Sequence, residues 1–580
     1  MINNNIKDRF AYLIYAICAV AIIYLVFSLT PFLIGPWESY HIYNSFSEIY
    51  GPPIKMTIQV GANTAGHYGD NYGLINSWAY IVRKLHLTIN LFNIRFISVL
   101  SGFISLLLFY KISSRWFGRN TSFMITALLA VNETFLLFEH YLLPQMFTFA
   151  AILFLLERFQ VLYEKTDKIK ILVCITFGLA ASLCAMNYLL SRLFLIFIFI
   201  LQLKMVFTDK FHFKISRETV SINLKKLFAT WVSYLAFLGI FHISNIAYTF
   251  KKVFIFSDLG EYSTGTSSFI SNTLYNIPFM AKHVFLDIPF LKPSLPYFIL
   301  GDAKYHLITF PILFLTLLGL LIALKHLKTF ENALILYITG MMFFIMNMSM
   351  VYPVFPDGTQ TTTLSSFRTF YMLLPIFLLV GVFYKKLSQI LQRRMNNHHL
   401  LSELIMFFIP FFILGFYSNL RSYKGLNSFY KSNHFDFKEE APRKKYTDQE
   451  LKENLNMNFR LTEIQDGIYY RNQVYLKMLA DKIQTRLMDY STPLNSKIFI
   501  NLPIEKYTPA YYDLCCSLRV KPYLKTFLSI YLFDLGIRNN YFESNGLYRF
   551  KEAQVYISVN EKEKNQILKD FPGITELTIN

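Results

Sequence analysis

The chain has 580 residues, 54% hydrophobic and 18% aromatic, and only 16% are charged, against about 25% in soluble domains. That balance excludes an ordinary soluble enzyme, whose cores could not enclose so much apolar surface, and points to a multi-pass membrane protein. The formal charge of +19 does not argue for nucleic acid, because much of it sits in short loops between apolar runs and no readout motif accompanies it.

The apolar runs are roughly 15 to 24 residues long, enough to cross about 30 Å of hydrocarbon as helices. Eleven spans are expected: Ala11 to Ile34, Ile94 to Ser113, Thr121 to Phe138, Pro144 to Tyr163, Ile169 to Ala185, Leu189 to Leu203, Leu227 to Ile246, Leu307 to Leu324, Ala333 to Met350, Phe370 to Tyr384 and Leu404 to Tyr417. The first lacks a small-residue cleavage site and reads as a retained anchor. Ile171 to Leu203 is one apolar stretch with Lys168 and Lys170 before it and Lys204, Lys210 and Lys214 after it, so it should fold back near Asn187 to Arg192.

With that hairpin, Lys111, Arg115, Arg119, Lys325, Lys328, Lys385, Lys386, Arg393 and Arg394 all fall on the side of Lys7 and Arg9. The expected topology is N-inside and C-outside, as for an integral protein of a bacterial cytoplasmic membrane. The opposite face then carries the long loops 35–93, 248–306 and 352–369. Within the second, Ile277 to Leu300 is apolar but holds Lys282, Asp287, Lys292 and prolines, and reads as interfacial or re-entrant.

Residues 1–418 therefore form the membrane domain, and 419–580 a soluble extracytoplasmic α/β domain. In the latter, Tyr469 to Tyr490 has helical spacing, Lys497 to Asn501 and Gln554 to Val559 are strand-like, and Glu561 to Asp570 reads as a helix. Cys18, Cys174 and Cys184 lie in apolar runs, and the adjacent Cys515 and Cys516 are poorly placed to bond each other.

The middles of the spans are nearly free of ionisable residues, while acids, histidines and tyrosines gather at the outer helix ends. A transporter would place such groups near the bilayer midplane. Long ordered loops usually build something, so chemistry at the outer surface is favoured. The stretch PWESYHIYNS puts Glu38 directly after the first span; GHYGDNYGLINSW offers His67, Asp70 and Tyr72; EHYLLPQMF offers Glu139 and His140, with Gln145 following; SSFRTFYMLLP puts Arg368 at the outer start of a late helix. An arginine fork suits a lipid phosphate.

These four stretches, with NIRFISVLSGFISLLLFYKISSRWFGRNTSFMITALLAVNETFLLF between the second and third, resemble the C-type (GT-C) integral membrane glycosyltransferases. These use polyprenyl-phosphate sugars and include the protein O-mannosyltransferases and the lipid A aminoarabinose transferase. The resemblance covers the first 165 residues best. It implies a GT-C-like α-helical polytopic fold and transfer of a sugar from a polyprenyl-phosphate donor to a lipid, glycan or protein acceptor. Glu38 takes the role of the acid in the first outer loop, as base or sugar-orienting group. His67, Asp70, Tyr72, Glu139, His140 and Arg368 are the expected substrate-binding residues.

This chain departs from the pattern in having Trp37 and Ser39 beside Glu38, where relatives show a paired acid, and in lacking prolines after His67. A transporter or flippase and a non-catalytic membrane scaffold are the alternatives. No cofactor is expected. No HExxH or paired CxxC calls for a metal; Glu38, Asp70 and a substrate phosphate are the groups that would hold a divalent ion. The absence of a P-loop or dinucleotide glycine motif favours a lipid-carried donor over a nucleotide sugar.

Overall fold

The computed structural model describes chiefly residues 2–28, 73–85, 90–142, 144–164, 170–186, 189–207, 217–241, 309–348, 370–395 and 408–432, with short stretches between 477 and 578. Thirteen α-helices and four strands are formed among them. The helices are α1 (Ile2–Ser28), α2 (Gly73–Lys84), α3 (Leu91–Phe117), α4 (Arg119–Ala130), α5 (Glu133–His140), α6 (Pro144–Glu164), α7 (Ile171–Met186), α8 (Leu189–Phe207), α9 (Arg217–Phe241), α10 (Thr309–Lys325), α11 (Phe330–Met348), α12 (Leu373–Met395) and α13 (Ile409–Ser432). A 3-10 turn, Phe370–Met372, leads into α12.

The protein is a polytopic helical membrane protein. Among the described residues Leu91–Phe117, Pro144–Tyr163 and Phe370–Arg393 are each long and apolar enough to span, and the bent pair Arg119–Ala130 and Thr134–His140 makes a fourth if taken as one span. Tyr12–Phe27, Ile171–Ala185, Pro311–Lys325, Phe330–Phe344 and Ile409–Leu420 are shorter apolar helices. Several helices expose one apolar face, for example Leu100, Ile104 and Leu107 on α3 and Phe228, Val232 and Leu235 on α9, as lipid contact requires. Hydroxyls on these helices turn back on their own backbone: Ser105 donates to the Ser101 carbonyl at 2.7 Å and Thr316 to that of Ile312 at 2.7 Å. Such bonds satisfy them without water.

The chain divides into two compact units. The first holds α1, α3 from Ser98 onward, α4 to α12 and α13 as far as Lys424; the second holds α2 from Trp78, the start of α3 and the four strands. In the first, glycines allow close helix crossings. A Cβ at Gly319 of α10 would stand 2.7 Å from the Leu379 carbonyl carbon of α12, and one at Gly178 of α7 would stand 2.6 Å from the Tyr234 nitrogen of α9. The α7–α8 hairpin forms where the flanking lysines placed it. Arg192 closes it by donating from Nε to the Ala185 carbonyl at 3.0 Å, a helix-end bond.

Three expectations are adjusted. The third span is not one helix: Asn132 stops α4 and restarts the chain as α5 at a bend of 65°. The ninth helix begins at Arg217, ten residues before the expected Leu227, so that Lys226 is buried and lies over the Tyr163 ring at 5.6 Å. A buried acid toward the inner end of a span was also not anticipated. Glu157, two-thirds along α6, is 0% exposed and accepts from Lys111 Nζ at 3.0 Å, Arg115 Nη2 at 2.9 Å and Arg158. Arg115 Nη1 also reaches Gln160 Oε1 at 3.1 Å, and Lys385 Nζ donates to the Trp116 carbonyl at 2.7 Å. This cluster ties α3, α6 and α12 together at the expected cytoplasmic end.

In the second unit, Trp78 Nε1 donates to the Asn93 carbonyl at 2.7 Å and its ring lies 5.6 Å from Phe96, so α2 folds against the start of α3. Thus loop 35–93 contains an amphipathic helix, with Ile75, Ala79 and Val82 on its buried face. The strands β1 (Ile498–Asn501), β2 (Asn540–Phe542), β3 (Val555–Ser558) and β4 (Thr575–Thr578) form one parallel sheet in the order β2–β1–β3–β4. Strands were expected where β1 and β3 stand, and helical residues lie within 477–489 as the spacing predicted. The helix expected at Glu561 to Asp570 and the interfacial segment Ile277 to Leu300 lie outside the described residues.

Candidate active site

The site is built on the bend between α4 and α6. Asn132 caps α5 with its side chain, Oδ1 accepting from the Thr134 nitrogen at 3.1 Å and the Phe135 nitrogen at 3.2 Å. Nine residues later the helix ends at Tyr141, whose backbone is extended, and Pro144 starts α6. Glu139 and His140 therefore occupy the last turn of a short helix held at both ends.

His140 donates from Nε2 to the Val26 carbonyl at 2.8 Å. Val26 belongs to the last turn of α1, where carbonyls lack helical partners, so this bond caps α1 and fixes the imidazole. Glu139 lies on the backbone of α3. A Cβ at Gly102 would stand only 2.6 Å from Glu139 Cγ and Cδ, so the carboxyl is seated where only glycine leaves room. Glu139 is 1% exposed, and its Oε1 has no hydrogen-bond partner among the described residues.

The same neighbourhood holds other buried polar atoms without partners among the described residues: Ser98 Oγ, one helical turn before Gly102, and Gln145 Oε1 and Thr148 Oγ1 on the first turns of α6. Ser105 Oγ at 4.0 Å from Met146 Sδ shows how closely α3 and α6 approach here. A buried polar group without a partner costs about 1–3 kcal/mol, so these four call for partners beyond the described residues.

Aromatic rings back this layer. Phe370 lies 4.6 Å from Phe138 and 5.2 Å from Phe149, and Phe135 lies 6.2 Å from Phe149. The 3-10 turn before α12 is thus packed on the residue preceding Glu139, and Phe370 follows Arg368 by two positions. From Gln145 to Glu157 is about 18 Å along α6 at 1.5 Å per residue, so the two polar clusters sit near opposite ends of that helix.

Of the residues expected from sequence, Glu139 and His140 are among the described residues, the first against Gly102 of α3 and the second against Val26 of α1. Glu38, His67, Asp70, Tyr72 and Arg368 lie outside the described residues. Among the described residues no group of three His, Cys, Asp or Glu side chains gathers as a metal site. Sequence reasoning missed Ser98, Gly102 and Thr148; the small-residue spacing in SVLSGFIS was the available signal, since such rows allow close helix approach.

No protein-family profile matches the chain, and no curated protein is significantly similar to it. Among solved structures it is similar to ArnT from Cupriavidus metallidurans in the apo state, at 10% identity and a TM-score of 0.44 over 99% of this chain and 90% of that one. ArnT from the same organism bound to undecaprenyl phosphate aligns at 11% identity and a TM-score of 0.44, covering 97% of this chain and 89% of that one. The archaeal oligosaccharyltransferase AglB from Archaeoglobus fulgidus, in complex with an inhibitory peptide and a dolichol-phosphate, aligns at 13% identity and a TM-score of 0.41 over 71% of this chain. The alignment spans 56% of that oligosaccharyltransferase, little more than half its length.

Proposed function

We propose that the protein is a membrane glycosyltransferase that moves one sugar from a polyprenyl-phosphate donor to a lipid, glycan or protein acceptor on the non-cytoplasmic face. The observation that carries the reading is the buried Glu139 carboxyl, seated on Gly102 with one oxygen unpartnered among the described residues. Supporting it are the resemblance of the four sequence stretches and the polar atoms of Ser98, Gln145 and Thr148, buried on α3 and α6 without partners among the described residues.

In this reading the acceptor oxygen attacks the anomeric carbon as the bond to the phosphate oxygen breaks, with inversion, and the polyprenyl phosphate leaves. The acceptor's proton passes to a carboxylate, a role the resemblance gives to Glu38. Arg368 binds the phosphate through its planar fork, and stabilises the charge that grows on it as the sugar departs. Glu139, with Ser98, Gln145 and Thr148 around it, binds sugar hydroxyls, and His140 holds α5 in place through α1. His67, Asp70 and Tyr72 complete the expected pocket, and the prenyl chain runs along the apolar helix faces.

The test is to incubate purified protein in nanodiscs with a panel of radiolabelled polyprenyl-phosphate sugars, together with lipid, glycan and peptide acceptors, and follow transfer of the label and release of polyprenyl phosphate. At least one donor should turn over, and Glu38→Gln should abolish turnover while leaving expression and thermal unfolding intact. Unaltered turnover in that variant removes Glu38 from the mechanism, and no turnover with any donor removes the transferase reading.

A further inference from the structure

The ion cluster at the expected cytoplasmic end of α3 and α6 gathers more positive charge than it neutralises. Lys111 Nζ at 3.0 Å, Arg115 Nη2 at 2.9 Å and Arg158 all close on the single Glu157 carboxylate, and the three make no other ion pair among the described residues. The remaining contacts of the two guanidinium groups are to neutral atoms: Arg115 Nη1 donates to Gln160 Oε1 at 3.1 Å and Arg158 Nη1 to Thr176 Oγ1 at 3.5 Å. Lys385 brings a further cation to the next residue of α3, donating to the Trp116 carbonyl at 2.7 Å. Glu157 is 0% exposed, whereas Lys111, Arg115 and Arg158 are 18 to 53% exposed, so an approaching anion meets the cations before the carboxylate. Charges partly removed from water are screened little by salt, and the excess attracts an anion.

Gln160 adds a second, independent observation. Its side-chain oxygen accepts from Arg115, which fixes the amide orientation and leaves Nε2 as a donor. The residue is 8% exposed, and Nε2 is buried without a hydrogen-bond partner among the described residues. An ammonium, a guanidinium fork and an amide N–H together form a donor-only set, which suits the oxygens of a phosphate.

The surfaces beside the cluster point to the source of that phosphate. Leu100, Ile104 and Leu107 are exposed and share one face of α3, and Lys111 and Arg115 continue the same face over the next two turns. On α7, Ile171, Leu172 and Ile175 are exposed around Thr176, the residue that Arg158 reaches. The cations thus stand where two lipid-facing apolar surfaces end, the level at which acyl chains give way to headgroups. Basic pockets between spanning helices at that level bind anionic lipid headgroups.

We propose that this cluster is a binding site for the phosphate of an anionic phospholipid, with Lys111, Arg115 and the Gln160 amide as its donors and the acyl chains lying along the Leu100 to Leu107 face of α3. A zwitterionic lipid carries its own cation and gains less from the excess charge. A soluble phosphate has the same oxygens but no chains to cover the apolar faces. The inference does not depend on the transferase reading.

The experiment titrates the purified full chain in detergent with phosphatidylglycerol, phosphatidylcholine or inorganic phosphate and follows each bound molecule by native mass spectrometry. The first phosphatidylglycerol binds at least ~10-fold more tightly than the first phosphatidylcholine, the size expected of one charge-assisted hydrogen bond, and about 10 mM inorganic phosphate does not displace it. Lys111→Gln leaves Glu157 with two cations, and Gln160→Met keeps the side chain's bulk while removing the amide; each lowers the preference to within ~3-fold. Lys325→Gln/Lys328→Gln removes two exposed cations from the same expected face and leaves the preference unchanged. Thermal unfolding accompanies each variant, and Gln160→Met alone carries the test if Lys111→Gln fails to fold. The proposal is overturned if the two lipids bind alike, if the folded cluster variants keep the preference, or if the Lys325/Lys328 variant loses it equally. Displacement of the lipid by inorganic phosphate also overturns it, since the site would then take a soluble anion.

Discussion

Gly102→Ala is the sharpest probe of how Glu139 is seated. The added methyl would lie 2.6 Å from Glu139 Cγ and Cδ, where carbon atoms normally rest about 3.5–4.0 Å apart, so one partner must retreat by roughly 1 Å. Overpacking of this kind costs about 1–3 kcal/mol, but alanine gains about 0.8–1 kcal/mol over glycine inside a helix, leaving a net loss of about 0–2 kcal/mol. The protein should therefore fold. A 1 Å displacement of a substrate-positioning group costs on the order of 100-fold in rate, far more than the stability change implies. Donor turnover in nanodiscs, measured beside thermal unfolding, separates the two effects. Adding Glu139→Asp, which shortens the side chain by one methylene, should recover part of the packing and none of the rate. Turnover of Gly102→Ala within about twofold of the parent, in a protein that unfolds normally, would refute the placing of Glu139 in the site; an overpacked carboxyl cannot hold its position.

The remaining predictions concern what frames the site. Glu157→Gln should destabilise the protein by about 2–3 kcal/mol in denaturant unfolding, below the 3–5 kcal/mol of a fully buried pair because Lys111, Arg115 and Arg158 are partly exposed. A change under about 0.5 kcal/mol would show that the cluster contributes little. Asn132→Ala removes the acceptor of two buried backbone N–H groups and should cost about 1–2 kcal/mol by the same measurement, with a parallel fall in donor turnover as the bend relaxes. Unchanged stability would mean that another group takes over the cap.

The helices were legible because lipid imposes a simple rule: apolar runs of fixed length with positive charge on one side. The hairpin at Asn187 to Arg192 followed from lysines alone, and the structure forms α7 and α8 on either side of it. The bend at Asn132 was less visible, because Asn132, Glu133 and Thr134 interrupt the apolar run only briefly and the capping bonds are local. Glu157 could have been noticed as a charge among ILFLLERFQVL, yet its three partners come from two helices and only the packed bundle joins them. In the sheet, the central strands IFIN and VYIS announce themselves by apolar runs, whereas the edge strand NYF has only three residues and the edge strand TELT is polar. In the candidate site, EHYLLPQMF drew attention to Glu139 and His140 as an acid and a histidine at a helix end. The seat on Gly102 needed three-dimensional contact between helices thirty-seven residues apart in sequence.

Photo-crosslinking tests the central claim most directly. A polyprenyl phosphate carrying a diazirine next to its phosphate, bound to the purified protein, irradiated and mapped by mass spectrometry, should label the 138–141 and 370–372 segments, with labelling competed by unmodified polyprenyl phosphate and lost in Arg368→Ala. Adducts confined to other helices, or labelling that is insensitive to both competitor and variant, would contradict the placing of a lipid phosphate beside Glu139.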